Sequence, residues 1–258
     1  MHLAVVIPVF NEARWVRAAV ERLLATPPPT TPDGRLCHRT VILVDDGSSD
    51  GTTDLVKALG QTDDVIALHH AVNLGKGAAL RTGFAKALDL AADVVLVHDA
   101  DLEYDPRDHA AALAPILDRR ADAVIGSRFI GHTHRVLYYW HYIANKLITT
   151  FCGMVTNLNL TDVECCTKAF TAPALRRMNL TASKFDIEIE MIAKVAKVRL
   201  PDEPTADPAP ATTHQRTRRA RVYEVAVSYS GRTYEEGKKI TWHDGLAALG
   251  AILKHGLG

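Results

Sequence analysis

The first hundred residues alternate short apolar runs with segments whose apolar side chains recur at helical spacing, and this alternation constrains the fold more than any other feature. Residues 3–9, 40–44, 65–69 and 93–98 are the apolar runs. They are rich in β-branched side chains and have little polar alternation, as strands buried on both faces require. Residues 11–25 carry Trp15, Ala18, Ala19 and Leu23 on a helical period and stop at Pro27-Pro28-Pro29. Residues 52–59, with Asp50 or Thr52 as cap, and residues 78–91 read as the next two helices. Strand–helix alternation of this kind predicts an α/β domain with a mostly parallel sheet and right-handed crossovers.

The second half is less regular. A short strand at 123–125 leads into Gly126-Ser127-Arg128-Phe129. A helix is expected over 136–156, with Tyr138, Tyr139, Trp140 and Tyr142 near its start, and another over 187–197. Residues 201–213 are rich in Pro, Ala, Thr and Asp and read as a flexible surface loop, closed by Arg216, Arg218, Arg219 and Arg221. Residues 222–229 alternate like a strand.

With 47% hydrophobic and 23% charged residues the chain can bury a real core. Lys+Arg and Asp+Glu balance at 30 each, so no global field favours a nucleic-acid partner. Cys37, Cys152, Cys165 and Cys166 lack metal-ligand spacing and are expected to be free thiols in a reducing compartment. The N-terminus has no basic leader and meets Pro8, Asn11 and Glu12 early, and no apolar run reaches about 18 residues. The expectation is a cytoplasmic protein that touches membranes at most peripherally.

In an open parallel sheet, ligands gather at the carboxyl ends of the strands. Four such ends here carry polar residues: Glu12, Asp45-Asp46, Asn73 to Lys76, and Asp99 to Glu103. Asp-Gly-Ser-Ser-Asp-Gly alone is explained as a turn. The last group is harder to dismiss. Asp99, Asp101 and Glu103 occupy alternate positions, so an extended backbone would point all three carboxylates one way. They would repel one another unless protons or a cation neutralised them. A hard divalent ion, Mg2+ or Mn2+, suits oxygen ligands and would offset charge on a departing diphosphate.

The segments Val6-Ile7-Pro8-Val9-Phe10-Asn11-Glu12, Val44-Asp45-Asp46-Gly47-Ser48-Ser49-Asp50-Gly51-Thr52, Asn73-Leu74-Gly75-Lys76-Gly77 and Asp99-Ala100-Asp101 follow one another in this order. Together they resemble the family 2 glycosyltransferases of the GT-A fold, within them the dolichyl-phosphate mannose synthase-like branch, over about residues 3–254. The resemblance implies one Rossmann-like domain spanning 1–258, with a mixed sheet flanked by helices; residues 201–219 depart from the family as an insertion, and 240–258 read as an amphipathic C-terminal segment. It implies that Pro8, Phe10, Glu12 and Asp45 hold the base and ribose, with Asp46 nearby and Lys76 at the nucleotide. Asp99 and Asp101 would sit at the nucleotide and metal, and Glu103, replacing the Gln common there, would be a further ligand. Arg128 would face an acceptor phosphate. Asp162 would line the acceptor pocket, as a general base or only to position groups, with Asp186 or Glu188 as weaker candidates. Residues 232–239 are similar to a lid whose Arg232, Lys238 and Lys239 would offset charge on the leaving nucleotide.

The implied activity is metal-dependent, inverting transfer of a hexosyl group from a UDP- or GDP-sugar to a polyprenyl phosphate. A soluble acceptor, or a nucleotide-binding protein without turnover, remain the alternatives at this point. Tyr138 to Tyr142 and the C-terminal segment could lie on a bilayer surface or pack into the core.

Overall fold

The computed structural model describes residues 1–131, 135, 138–202, 216–232 and 242–256, the last segment with its side chains from 248 onward. The expected alternation is present: β1 (His2–Val9), α1 (Val16–Ala25), β2 (His38–Asp45), α2 (Thr52–Leu59), β3 (Val65–His69), α3 (Lys76–Asp89) and β4 (Val94–Val97). There follow α4 (His109–Leu117), β5 (Ala123–Ser127), α5 (Tyr139–Thr156), β6 (Lys168–Thr171), α6 (Ala172–Met178), α7 (Ile187–Val195), β7 (Arg199–Pro201), β8 (Thr217–Arg219), β9 (Val222–Ala226) and α8 (Trp242–Gly256).

The main sheet has the order β3-β2-β1-β4-β6-β5-β9. Only β6 runs antiparallel to its neighbours, so the sheet is mixed but mostly parallel. The period of two along β1 divides the core. Leu3, Val5, Ile7 and Val9 pack with α1, α2 and α4 on one face. Ala4 and Val6 pack with α3, α6 and α7 on the other. A third cluster joins Ile148 and Cys152 of α5 to Ile189 and Ile192 of α7 and to Ala251 and Ile252 of α8.

Several expected elements are shorter or displaced, each for a local reason. The first helix starts at Val16, because Asn11 adopts a left-handed φ of 51° and the carbonyl of Glu12 accepts from Trp15 and Val16 in a tight turn. The last main-sheet strand ends at Ala226, and the chain then crosses to an isolated bridge between Tyr229 and Tyr104. α4, β6 and α6 had no clear sequence signal. α4 contains Pro115, and β6 is a four-residue strand that buries Lys168 completely.

Residues 203–215 of the expected insertion lie outside the described residues, but its ends form a β7–β8 hairpin. Arg218 at its end and Arg221 just beyond it are structural: both bind the buried carboxylate of Asp122, Arg218 through two bonds of 2.5 and 2.9 Å. No helix among the described residues is long and apolar enough to cross a membrane.

Candidate active site

The carboxyl ends of β1, β2 and β4 open onto a cavity of about 590 Å³. Pro8, Phe10, Glu12, Asp46, Lys76, Asp99, Asp101 and Glu103 line one part of it, and Arg128, Glu164, Cys166, Glu188, Tyr229 and Arg232 line another. The structure thus gathers most of the sequence-derived candidates around one space. Asp45 and Asp162 stand behind that lining, and Lys238 and Lys239 fall outside the described residues.

The β2 end is built by turn chemistry. Asp45 accepts from the Ser48 amide at 3.2 Å, the Thr53 hydroxyl at 2.6 Å and His69 at 3.4 Å. Burial would raise its pKa, yet these bonds outweigh burial and hold it below the usual carboxylate range. Asp45, expected at the base and ribose, fastens the turn from behind the cavity lining, while Asp46 faces the cavity. Asp46 accepts from His70 at 2.7 Å and from the amides of Leu74 and Gly75, drawing the β3–α3 loop against it. Gly75 has φ +98°, and a Cβ there would stand 2.3 Å from the Ser183 carbonyl oxygen, so only glycine lets these chains approach.

The acidic group after β4 is not extended, contrary to the expectation from alternate spacing. Leu102 takes a left-handed φ of 62°, and the Glu103 amide donates to Asp101 Oδ1 at 3.1 Å. The carboxylates converge because the chain turns. Asp99 is held by Lys76 Nζ at 3.0 Å, and Lys76 also meets Glu188 at 3.0 Å and Cys166 Sγ at 3.2 Å. Behind it, fully buried Lys168 pairs with the second oxygen of Glu188 at 2.6 Å and donates to the carbonyl of Cys165. Burial opposes ionisation of both Asp99 and Lys76, but their mutual attraction prevails, lowering the carboxylate's pKa and raising the ammonium's.

Asp101 behaves differently. Burial and the neighbouring charges of Asp99 and Glu103 push it up to about 7, against the pull of Arg232. Arg232 spans this cluster, with Nη2 2.9 Å from Asp101, Nε 3.2 Å from Glu103 and Nη1 3.6 Å from Glu12. Tyr229 donates to the other oxygen of Glu103 at 3.0 Å. Among the described residues no three His, Cys, Asp or Glu side chains already form a metal cluster. The donor set nevertheless fits a hard divalent ion. It is all carboxylate oxygen, it carries more negative charge than one guanidinium offsets, and a cation already bridges Asp101 and Glu103.

On the other side of the cavity, Arg128 and Asp162 were expected to have separate roles and instead form one unit. Arg128 Nε and Nη2 bind the two Asp162 oxygens at 2.6 and 2.8 Å, and the Arg128 amide adds a third bond at 3.1 Å. Asn145 Nδ2 of α5 and the Glu164 amide also donate to Asp162 Oδ1, at 3.0 and 3.2 Å. Asp162 is wholly buried, and Arg128 outweighs that burial and lowers its pKa, so it stays a carboxylate anchoring Arg128. The guanidinium lies 5.2 and 5.6 Å from the ring centres of Tyr229 and Phe129. Asp186 lines the cavity and accepts from the Lys184 amide at 3.1 Å.

Glu164, Tyr104 and Tyr229 were not anticipated as lining residues. Glu164 follows Asp162 by two positions, a spacing that could have flagged it. Tyr104 and Tyr229 meet only through the long-range bridge, which no local pattern discloses.

Comparison with known proteins identifies the family and the fold. Residues 4–178, more than half of the chain, match the family model for glycosyl transferase family 2. The UDP-N-acetylglucosamine–dolichyl-phosphate N-acetylglucosaminyltransferase of Methanococcus voltae is 27% identical over 77% of this chain and 82% of the relative. The undecaprenyl-phosphate mannosyltransferase of Micrococcus luteus is 28% identical over 77% of this chain and 79% of the relative. Glucosyl-3-phosphoglycerate synthase of Mycobacterium tuberculosis, solved with Mn2+ and UDP-glucose, superposes with a TM-score of 0.66 at 15% identity, covering 99% of this chain and 79% of that one, which supports the GT-A fold. With the family's motifs in order and the strand ends opening onto one cavity, the chain belongs to glycosyl transferase family 2, is a glycosyltransferase, and within that family resembles the dolichyl-phosphate mannose synthase-like branch.

Proposed function

We propose that the chain transfers a hexosyl group from a UDP- or GDP-sugar to a polyprenyl phosphate, in one displacement that inverts the anomeric carbon. The observation that carries this reading is that an acidic wall and a half-buried arginine anchored on a buried carboxylate line one cavity. The polyprenyl-phosphate relatives support the acceptor, and the UDP- and Mn2+-containing neighbours support the donor type.

Pro8, Phe10 and Glu12 would bound the base and ribose, with Asp46 supporting that wall through the loop it fastens. Asp101 would hold Mg2+ or Mn2+, with Asp99 and Glu103 beside it; the ion, when bound, would supply Lewis-acid stabilisation of charge on the diphosphate. Arg232 has to leave the carboxylates to make room. It is then free to turn its donors toward the diphosphate, as Lys238 and Lys239 would also do. Lys76, paired to Asp99, adds positive charge to the same wall. Arg128 would orient the acceptor phosphate through paired donors, and Asp162 would act as its positioning carboxylate.

Peripheral contact with a membrane surface belongs to this reading. Trp140, Leu147 and Met154 fall on one stripe of α5 and are 76%, 66% and 77% exposed, and α5 contains no acidic residue. The test is direct. The protein is incubated with UDP- and GDP-hexoses, Mn2+ and a polyprenyl phosphate in detergent, and the lipid fraction is analysed for attached sugar. Sugar–phosphate–lipid product is expected, and consumption of donor only when soluble acceptors are supplied would sink the acceptor assignment.

A further inference from the structure

The cavity contains many carboxylates, and among the described residues nearly all of them already have partners. Asp101, Glu103 and Glu12 share Arg232. Asp99 and Glu188 share Lys76. Asp46 and Asp186 accept from backbone amides. Asp162, the obvious candidate base, has both oxygens committed to Arg128 and lies behind the cavity surface. Glu164 remains. It lines the cavity, is half-buried, and among the described residues its carboxylate has no hydrogen bond or ion pair. Its backbone is nevertheless fixed, because its amide donates at 3.2 Å to Asp162, the same carboxylate that anchors Arg128. One buried group therefore sets both the acceptor-side cation and the free carboxylate.

We infer that Glu164 is the catalytic residue that takes the proton from the attacking acceptor oxygen. The inference rests on the glycosyl-transfer reading above and specifies its acceptor side. In the step, the acceptor O–H proton passes to the Glu164 carboxylate while the acceptor oxygen forms a bond to the anomeric carbon. The bond from that carbon to the donor's diphosphate oxygen breaks, and the electron pair leaves with the nucleoside diphosphate. The acceptor oxygen thus arrives protonated, either as a hydroxyl or as a singly ionised phosphate monoester. A doubly ionised phosphate, present above its second pKa of about 6, has no proton to give up. The charged groups facing Glu164 are Arg128 after β5, Asp162 on its own loop, Lys168 of β6 and Glu188 of α7. Burial is the largest influence on Glu164 and raises its pKa, keeping it closer to neutrality than an ordinary carboxylate.

The test compares wild type with Glu164→Gln, using farnesol and farnesyl phosphate as acceptors with a UDP- and GDP-hexose panel and Mn2+. The variant should bind UDP or GDP within about twofold of wild type and lose about 10²–10⁴-fold in kcat with farnesol at every pH. With farnesyl phosphate its rate should recover toward wild type as pH rises through about 6, when the acceptor loses its own proton. An unchanged kcat with farnesol, or equal losses at all pH with both acceptors, would overturn the role. Loss of nucleotide binding alongside activity would make Glu164 structural and overturn it equally. A wild type that binds nucleotide but glycosylates neither acceptor would instead overturn the transfer reading beneath it.

Discussion

The two walls of the cavity are built by different means. On the wall proposed to hold the donor, the β2 end and the β3–α3 loop are fixed largely by backbone amides and hydroxyls: Asp45 takes Ser48 and Thr53, and Asp46 takes Leu74 and Gly75. On the wall proposed to face the acceptor, Arg128, Asn145 and Glu164 converge on Asp162, joining a strand end, a helix and a loop. The first wall is therefore robust to loss of any one bond, and the second is concentrated in one ion pair whose carboxylate is buried. A concentrated design gives orientation at the price of fragility.

Four substitutions probe that contrast, in decreasing order of expected effect. Arg128→Ala leaves Asp162 ionised and buried with its strongest partner gone. Urea unfolding should report a loss of about 3–5 kcal/mol, whereas a loss under about 1 kcal/mol would mean the acceptor wall does not depend on this pair. Gly75→Ala tests the donor wall where it is least tolerant. With φ +98° and a Cβ 2.3 Å from the Ser183 carbonyl oxygen, about 2–4 kcal/mol of destabilisation is expected by the same measurement.

Glu190→Gln addresses the seam between the walls. Glu190 is buried and accepts from Thr181, Ala182 and Lys194, tying down the segment that packs on the start of α3. Burial opposes its ionisation, but Lys194 and the amides outweigh it and bring its pKa from 4.5 to about 2. A depressed carboxylate stabilises the fold above its unfolded pKa and loses that contribution as pH falls through the folded value. Wild type should lose about 3 kcal/mol from this group between pH 4.5 and 2, and the variant's stability should be flatter over that window. Leu102→Gly is the smallest effect. Relief of a left-handed φ of 62° competes with the added chain entropy of glycine, so stability should change by under about 1 kcal/mol.

The same contrast explains what the sequence disclosed. Apolar runs and turn residues act locally, so β1 to β4 and the turn after β2 were readable to within a few residues. The carboxylates after β4 have the alternate spacing of a strand, whereas the left-handed Leu102 folds them together. The contacts made by side chains far apart in sequence were less legible, with Arg128 and Asp162 separated by 34 positions on one wall and Glu103 and Arg232 by 129 on the other. Charged residues that will neutralise one another at such separations carry no periodicity. Lys168 in a buried strand and Arg218 on Asp122 illustrate the same blindness, since each reads as a surface cation until its partner is known.

On the proposed reading, the acidic wall would receive a nucleotide together with a divalent ion held by Asp101, and Arg232 would turn from the carboxylates toward the diphosphate. Calorimetric titration of UDP and of GDP into wild type and Asp101→Asn, each with Mn2+ and with a chelator, tests it most directly. At least one nucleotide should bind wild type only with Mn2+, and its affinity should fall by a factor of about 10²–10³ in the variant. Equal affinity in the presence of the chelator, or in Asp101→Asn, would contradict it.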